Sequence, residues 1–381
     1  MVSIKRQALY INCKTRGLVF NAAIFTVLFF INPLYSLIIL TILNVFSKVK
    51  IYLLIFWGLA YSSFLFNREY DISFMPTGND DVAGYIKVIE RLKDLNFIDI
   101  FDPQIMSGYE PVSQVIWWVA MNIGLSINQV IFLQLFTWVI VLIMLAHHVS
   151  KRFSVFILMI GMGLYAEIIP LQFHSLYRSS WAFMFISLSI IYAKKNPING
   201  LTILAFFSHF ASGIIIFFKL IFERNIFNRY IFILLLLFTL IFIKMDLLSG
   251  IFSKLTHYHS SYVHSYNLDI VKSQLLGIVT LLLFYNFTSK NPTQKYMFYS
   301  ALSIYIFTFI PFISWISMRL FVLVAPLAFM VCAPVRNKYV LYGAVFLSLF
   351  RFVLSISSEH GLYNMWGTDF FISLDRVFGV L

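Results

Sequence analysis

Two arginines stand where the sequence could bind a phosphate group. Arg178 lies in the run Phe-His-Ser-Leu-Tyr-Arg-Ser-Ser-Trp, and Arg319 lies in Trp-Ile-Ser-Met-Arg-Leu-Phe. Each falls at the end of an apolar segment and is flanked by aromatic residues, which suit a membrane interface. Because a guanidinium group binds phosphate through two parallel hydrogen bonds, the pair predicts a pyrophosphate site. The alternative is that each arginine only anchors its helix at the membrane surface or pairs with an acid.

Three further residues are candidates for proton transfer or substrate orientation. Asp81 and Glu110 lie in the longest polar stretch of the chain, residues 67–111, and either carboxylate could accept a proton from a hydroxyl group. His209 interrupts an apolar segment, where it is either a site residue or a polar side chain satisfied by backbone. The structural alternative for both acids is a cap at the start of a helix. The sequence leaves the choice of base open.

The histidines of a second polar stretch, residues 244–272, suggest a metal site at first sight. His257, His259 and His264 lie there, but no cysteine accompanies them and their spacing matches no zinc-site pattern. We therefore expect no metal. The sequence also lacks a Walker loop, a dinucleotide fingerprint and a nucleophile elbow. We expect no cofactor and no nucleotide-driven reaction.

The elements that must position these residues are predicted from composition. Hydrophobic residues make up 60% of the 381 positions, charged residues make up 12%, and mean hydropathy is +0.86. A soluble domain carries about twice that share of charge, and the apolar runs here are too long and unbroken for barrel strands. The sequence therefore predicts an all-α polytopic membrane protein with roughly 10 to 12 membrane-embedded helices. Residues 1–381 are expected to form a single integral membrane domain.

The formal net charge of +12 predicts an orientation in the membrane and not a nucleic-acid partner. Lysines and arginines collect in short clusters between apolar runs, and such clusters face the cytoplasm. The clusters are Lys5/Arg6/Lys14/Arg16, Lys48/Lys50, Lys151/Arg152, Lys194/Lys195, Arg224/Arg229, Lys290/Lys295 and Arg336/Lys338. Glu223 is then the only acidic residue on the cytoplasmic side, so polar chemistry is expected at the outer face. Residues 67–111 and 244–272 become outer loops.

One segment conflicts with simple alternation across the membrane. If Leu201–Phe222 crossed once, Arg224 and Arg229 would lie outside. A break at Ser208-His209 removes the conflict, because two short helices can then enter and return with His209 at the tip. The other predicted segments are a hairpin at 18–47, Ile51–Phe66, a short outer helix at Val112–Ile123, Ile127–Ala146, Phe153–Ile169, Ser179–Tyr192, Tyr230–Ile243, 273–289, 296–314, 320–334 and 339–356.

Five short motifs follow one another in an order that resembles a known family. They are Asp81-x-x-x-Tyr85, Tyr109-Glu110-Pro111, Leu176-Tyr177-Arg178, Phe207-Ser208-His209-Phe210-Ala211-Ser212 and the segment around Arg319. Over residues 60–330 this order resembles the EpsG-like branch of the Wzy polysaccharide polymerases. One departure is that the family's Arg-Gln-x-x-Ala is Arg178-Ser179-Ser180-Trp181-Ala182 here, so the role of that glutamine is not carried over.

The resemblance implies a function, a fold and partners. Such proteins join O-antigen or capsule repeat units, with one oligosaccharide linked to undecaprenyl pyrophosphate as donor and another as acceptor. The fold is expected to resemble the C-type membrane glycosyltransferases. The site is expected to face the periplasm from the bacterial inner membrane, in contact with membrane lipid and a chain-length regulator protein.

The resemblance also suggests a role for each candidate residue. Arg178 and Arg319 would hold the donor pyrophosphate and stabilise its charge as it departs. His209 would assist there or orient the acceptor. Asp81 or Glu110 would take the proton of the acceptor hydroxyl.

Other functions fit parts of the sequence. An O-antigen ligase would share the donor but should carry a far larger outer loop than residues 67–111. A transporter or flippase of lipid-linked oligosaccharide should have internal repeats or broken helices with charges at the midplane. The charges here fall at the outer edge instead, and a membrane acyltransferase fits less well than either.

Overall fold

The computed structural model describes residues 27, 33–46, 49–66, 81–101, 111–163, 177–193, 198–209, 212–223, 268–289, 291–308, 314–334 and 337–357. Every regular element within these ranges is a helix, as the composition predicts. Their buried apolar side chains form one connected core cluster, which reaches from Leu37 in the first helix to Val345 in the last.

These residues form thirteen α-helices and one short 3-10 helix. In chain order they are α1 Pro33–Phe46, α2 Ile51–Phe66, α3 Asp81–Leu92, the 3-10 helix Asp99–Phe101, α4 Pro111–Asn122, α5 Ile127–Val149, α6 Ser154–Gly163, α7 Tyr177–Tyr192, α8 Gly200–Ser208, α9 Gly213–Glu223, α10 Leu268–Phe287, α11 Pro292–Thr308, α12 Ser314–Cys332 and α13 Lys338–Ser357.

Local side-chain hydrogen bonds fix the starts of several helices, α5 and α8 among them. The Ser126 hydroxyl accepts from the Gln129 backbone N–H, and the Gln129 side chain accepts from the Ser126 N–H, just before α5. Asn199 and Thr202 make the same reciprocal pair before α8. Each pair satisfies N–H groups that the first turn of a helix leaves without an intrahelical partner. The starts of α5 and α8 are therefore encoded within four residues of sequence.

One described helix, α5, is long and apolar enough to cross a membrane, with 23 residues. Several of the other described helices are apolar but shorter. α5 packs against α2, α6 and α7 and also contacts α3, α4 and α12, so it lies at the centre of the bundle. The predicted number of membrane-embedded helices and the single-domain interpretation stay predictions.

Most predicted segments coincide with helices. α2 has the predicted bounds, α5 begins at the predicted Ile127, and α13 begins one residue before the predicted 339. α4 has 12 residues and is as short as expected for the predicted outer helix. These positions are recovered because apolar runs and their polar ends mark helices directly.

Three predicted helix starts are wrong by four to six residues, and one of them is that of α11, which begins at Pro292 and not at residue 296. α10 begins at Leu268, so the outer loop predicted at 244–272 ends earlier than expected. α12 begins at Ser314 and not at residue 320, which places Arg319 inside the helix instead of at its start. Hydropathy marks only the apolar part of a helix, whereas the backbone hydrogen bonds continue through polar residues such as Asp269 and Ser314 at its ends.

Other predictions concern residues outside the described ranges. These are the first part of the 18–47 hairpin, Tyr230–Ile243, the loop residues 67–80 and 102–110, Glu110 among them, and the histidines at 257, 259 and 264.

Those basic residues that the structure describes mark one end of the bundle. The Asn44 side chain, near the end of α1, donates a 3.3 Å hydrogen bond to the carbonyl of Arg152, just before α6. The rings of Phe156 and Tyr342 are 5.7 Å apart, so α6 and α13 begin side by side. The last residues of α1 and the first residues of α6 and α13 therefore meet at this end.

The start of α11 and the end of α12 lie at this same end of the bundle. The Gln294 side chain near the start of α11 donates a 3.4 Å hydrogen bond to the carbonyl of Val331 near the end of α12, so the two helices run antiparallel. α12 ends at Cys332 and α13 begins six residues later at Lys338, so this end of the α11–α12 pair lies beside the start of α13. We call this side of the bundle, which carries Lys151, Arg152, Lys295 and Lys338, the basic end.

The predicted break in the segment Leu201–Phe222 is confirmed. α8 ends at Ser208, and His209 is its C-cap residue with an extended backbone, φ −160° and ψ 117°. The Ser212 N–H donates to the His209 carbonyl at 3.0 Å, and α9 begins at Gly213. The two short helices form a hairpin, the α8–α9 hairpin, with His209 at its tip.

Candidate functional site

α7 is the helix around which the candidate residues gather. It carries Arg178 in its second position and contacts α3, α5, α8 and α12. α3 begins with Asp81, His209 caps the end of α8, and α12 carries Arg319. Four of the five residues predicted for the site therefore lie on helices that touch one another through α7.

A buried amide fixes the first turn of α7. Gln134 of α5, 2% exposed, donates a 2.7 Å hydrogen bond to Ser180 Oγ and accepts a 2.9 Å bond from the indole N–H of Trp117. One side chain thus links α4, α5 and α7; we call this contact the Gln134 bridge. The rings of Trp138 and Phe183 lie 5.6 Å apart one turn further on, so α5 and α7 run parallel. The bridge therefore fixes the height of Arg178, two residues before Ser180.

Asp81 approaches the Gln134 bridge through α3. Tyr85, one turn after Asp81 on the same side of the helix, places its ring 5.9 Å from the ring of Trp117. α3 is held further by α4, because the Trp118 indole donates a 2.8 Å hydrogen bond to the Leu95 carbonyl. The carboxylate of Asp81 belongs to the first turn of α3, where the positive end of the helix dipole favours an anion. Asp81 can therefore serve to stabilise the start of α3, to act in catalysis, or both.

The depth of His209 follows from a contact at the other end of the hairpin. Ser189 Oγ on α7 accepts 3.1 Å hydrogen bonds from the Asn199 amide and from the Lys219 amine. We call this contact the Ser189 junction. From it α8 returns along α7 over nine residues, about 13 Å of helix. Along α7, Ser180 is also nine residues from Ser189, which is again about 13 Å. His209 therefore lies at the height of Ser180 and of the Gln134 bridge.

The height of Arg319 in the bundle follows from counting residues along α12 in the same way. The Lys219 amine of the junction lies 5.9 Å from the ring centre of Tyr296 on α11. Gln294 on α11 contacts Val331 on α12, so in this antiparallel pair Tyr296 lies at the height of Phe329. Arg319 lies ten residues from Phe329 towards the end opposite the basic one, about 15 Å. The backbone of Arg319 therefore lies beside the level of Arg178 and His209.

The structure thus brings four predicted residues to one level of the bundle, away from the basic end. His209 is described with its side chain and is half-buried. For Asp81, Arg178 and Arg319 the structure describes the backbone and not the side chain. Glu110 lies outside the described residues, directly before the start of α4, whose Trp117 belongs to the Gln134 bridge.

A buried hydroxyl lies next to the tip of the hairpin. Ser212, 0% exposed, follows His209 by three residues. Within the described ranges its Oγ has no hydrogen-bond partner. A buried hydroxyl left without a partner costs free energy, so a substrate oxygen bound at the tip would offset that cost.

Sequence reasoning missed three residues of this arrangement: Gln134, Ser212 and Lys219. Lys219 is the most notable, since it is a lysine at 3% exposure inside an apolar segment. A charged residue within an apolar run was itself a signal that could have found it. Gln134 offered a weaker signal as an isolated amide in the apolar α5. Ser212 was visible only as the last residue of the motif that contains His209, because its burial depends on the packing of the hairpin.

The described part of the chain contains no group of three or more His, Cys, Asp or Glu residues close enough to bind a metal ion. The helices around α7 bring together two arginine positions, one histidine, one aspartate position and buried hydroxyl groups. Of these, the arginine and hydroxyl groups suit the binding of an anionic, oxygen-rich ligand.

Comparison with known proteins identifies the family. No curated protein and no solved structure matches the chain, so the expected likeness to the C-type membrane glycosyltransferases stays a prediction. Residues 72–367 match the EpsG family, which covers α3 to α13 and every candidate site residue. The chain therefore belongs to the EpsG family.

Proposed function

We propose that the protein is a membrane glycosyltransferase that polymerises oligosaccharide repeat units linked to undecaprenyl pyrophosphate. The product would be an O-antigen or capsular polysaccharide. Membership in the EpsG family supports a polymerase of the glycosyltransferase type. The observation that carries the proposal further is the meeting of the helices that bear Arg178, Arg319 and His209 at one level of the bundle.

The two arginines suit a pyrophosphate leaving group. Arg178 on α7 and Arg319 on α12 lie on helices in direct contact, and we propose that both guanidinium groups bind one ligand. As the bond between the anomeric carbon and the pyrophosphate oxygen breaks, the electron pair leaves with that oxygen. Two guanidinium groups held in place would stabilise the growing negative charge.

The new bond forms between an acceptor hydroxyl oxygen and the anomeric carbon of the donor. The hydroxyl loses its proton, and Asp81 or Glu110 would take it as the carboxylate base. His209, at the hairpin tip with the buried Ser212 hydroxyl, would orient the acceptor or assist the departing phosphate. The polymer ends on the acceptor's lipid, and undecaprenyl pyrophosphate is released.

The site would face the periplasm from the inner membrane. The support is the position of the four residues away from the basic end, together with the tendency of basic clusters to remain in the cytoplasm. The lipid-linked substrates and a chain-length regulator protein would then be partners at the outer face, with membrane lipid around the apolar helices.

The proposal is tested with purified protein and purified lipid-linked repeat units. The expected product is a ladder of polymers, resolved by gel electrophoresis, without a nucleotide sugar. A deletion strain separates the alternatives: collapse of the ladder to one repeat unit supports a polymerase. Loss of that single unit as well would point to a ligase or flippase and overturn the proposal.

A further inference from the structure

A single hydroxyl group holds both arms of the α8–α9 hairpin against α7. At the Ser189 junction the amide of Asn199, from the start of α8, and the amine of Lys219, from the middle of α9, are both 3.1 Å from Ser189 Oγ. Ser189 and Lys219 are buried. Because the two arms meet at the same atom, this junction determines how far the hairpin extends along α7.

Lys219 also holds the hairpin against α11. Its amine lies 5.9 Å from the ring centre of Tyr296. Phe218 and Phe222, its neighbours on α9, stack on the ring of Tyr299 at 6.5 and 5.0 Å. With water excluded, the attraction between the cation and the ring is stronger than on a surface. α9 is therefore fixed on two sides through one charged residue.

Burying a charged side chain at the position of Lys219 costs free energy. An apolar side chain of similar length would pack between α7 and α11 without the desolvation cost of a buried ammonium group. The charge gives directional contacts to one hydroxyl and one ring, which an apolar side chain cannot give. These contacts therefore fix the position of α9 along the axes of α7 and α11. An apolar side chain would only bury the helix against them.

We infer that Lys219 is a positioning residue, which sets the depth of His209 opposite Arg178 by anchoring the return arm of the hairpin. Lys219 lies about 13 Å from that level and so acts without touching the substrate. The inference rests on the proposed function, because its effect on turnover is an effect on the proposed transfer.

The kinetic test replaces Lys219 by Met, which keeps the length of the side chain and removes the charge. Turnover per folded molecule should fall about 10- to 100-fold, because small displacements at a site have effects of that size. Affinity for the donor lipid should change less than about twofold, since the arginines remain. Lys219→Arg should restore part of the turnover. Normal turnover in Lys219→Met would overturn the inference.

Lys338→Met is the matched control. Lys338 also lies over a tyrosine ring, at 5.2 Å from the ring centre of Tyr339, but it is exposed at the basic end. Its loss should leave turnover and donor affinity unchanged. The loss in the double variant Ser189→Ala/Lys219→Met should be smaller than the sum of the two single losses, because both changes remove the Lys219–Ser189 contact. Fully additive losses would contradict a shared junction.

A distance measurement tests the inference without reference to activity. Spin labels at the exposed Leu204 on α8 and Leu133 on α5 report hairpin depth, in protein with Cys13 and Cys332 replaced by Ala. Lys219→Met should shift or broaden the distance distribution, and Lys338→Met should not. An unchanged distribution overturns the inference even if the protein polymerises. A shifted distribution in a protein that makes no polymer supports the anchoring and overturns only the proposed function.

Discussion

Arg178 and Arg319 differ from the residues of the basic clusters in the position of their backbone within the bundle. Arg178 belongs to the first turn of α7, which the Gln134 bridge holds at Ser180. Arg319 belongs to α12, which packs against α7. Arg152, at the basic end, is exposed and stacks over Phe153 at 5.1 Å. The first two are therefore held at a common level, whereas Arg152 is a surface residue.

Arg178→Lys and Arg319→Lys should each lose most polymerising activity while keeping the positive charge. A lysine amine cannot make the two parallel hydrogen bonds of a guanidinium group. The measurement is polymer length from purified lipid-linked repeat units at matched protein levels. Arg152→Lys, the control, should be fully active. Full activity of either site variant would reduce that arginine to a membrane anchor.

The base is tested by comparing Asp81→Asn with Glu110→Gln. Loss of the base should abolish turnover and leave donor binding nearly intact, since neither change removes a phosphate ligand. Loss of a favourable first-turn acid should instead cost about 1 kcal/mol of stability and lower the protein yield. If both variants polymerise normally, neither carboxylate is the base, and His209 or the leaving pyrophosphate takes the proton.

Ser212→Ala should lower turnover without destabilising the protein. Removing a buried hydroxyl that lacks a partner removes an unfavourable term of about 1–3 kcal/mol, so the unfolding midpoint should stay or rise. Ser187 on α7 is the control, because its hydroxyl is also buried and lacks a partner among the described residues. It lies about 10 Å towards the basic end, so Ser187→Ala should leave turnover unchanged. If Ser212→Ala keeps normal turnover, as Ser187→Ala should, Ser212 is not part of the site.

At the scale of helices, the bundle is assembled through close contacts at small residues. Gly58 of α2 faces Ile143 and Val139 of α5, and Gly277 of α10 faces the Tyr305 side chain of α11. A Cβ at Gly277 would lie 2.7 Å from Cζ of that buried ring. Contacts this close need glycine for its lack of a side chain and not for an unusual backbone conformation.

Gly277→Ala should therefore destabilise the protein by about 1–3 kcal/mol, because the added methyl group displaces a buried ring. The measurement is the thermal unfolding midpoint of the detergent-solubilised protein. Gly343→Ala in α13 is the control, since no atom lies within 4 Å of its added Cβ. That change should be neutral or stabilising by up to about 1 kcal/mol, the difference in helix propensity. Equal midpoints for both variants would contradict the α10–α11 packing.

For the whole molecule, the charge distribution and the helix directions agree. The basic clusters predict the cytoplasmic side from sequence, and the described helices place Lys151, Arg152, Lys295 and Lys338 at one end of the bundle. The basic clusters lie at the same end only if each helix reverses direction at the position that the sequence predicts. The α8–α9 hairpin is one such case, since without the break α9 would end on the wrong side.

Labelling of single cysteines in whole cells tests this orientation. Ile98→Cys, at a position 80% exposed, should react with a membrane-impermeant maleimide added from outside. Lys151→Cys should react only after the cells are permeabilised. Both are made in protein with Cys13 and Cys332 replaced. Labelling of position 151 in intact cells would reverse the orientation and remove Arg178 from the periplasmic face.

The sequence by itself determined the helices, the interruption at His209 and the clustering of basic residues. These features are local: a capping pair spans four residues, and an apolar run is continuous along the chain. The motifs around Asp81, Arg178, His209 and Arg319 were also visible, each on its own segment. For the same reason the wrong boundaries were those where polar residues extend a helix, as at Leu268 and Ser314.

Only the tertiary structure decided how these segments meet. The Gln134 bridge joins residues 46 apart in sequence, and the contact of Lys219 with Ser189 joins residues 30 apart. A helix that is apolar on every side does not show in its sequence which face packs against which neighbour. The depth of His209 and the burial of Lys219 are set by that choice of faces, and so they emerge only when the helices are packed together.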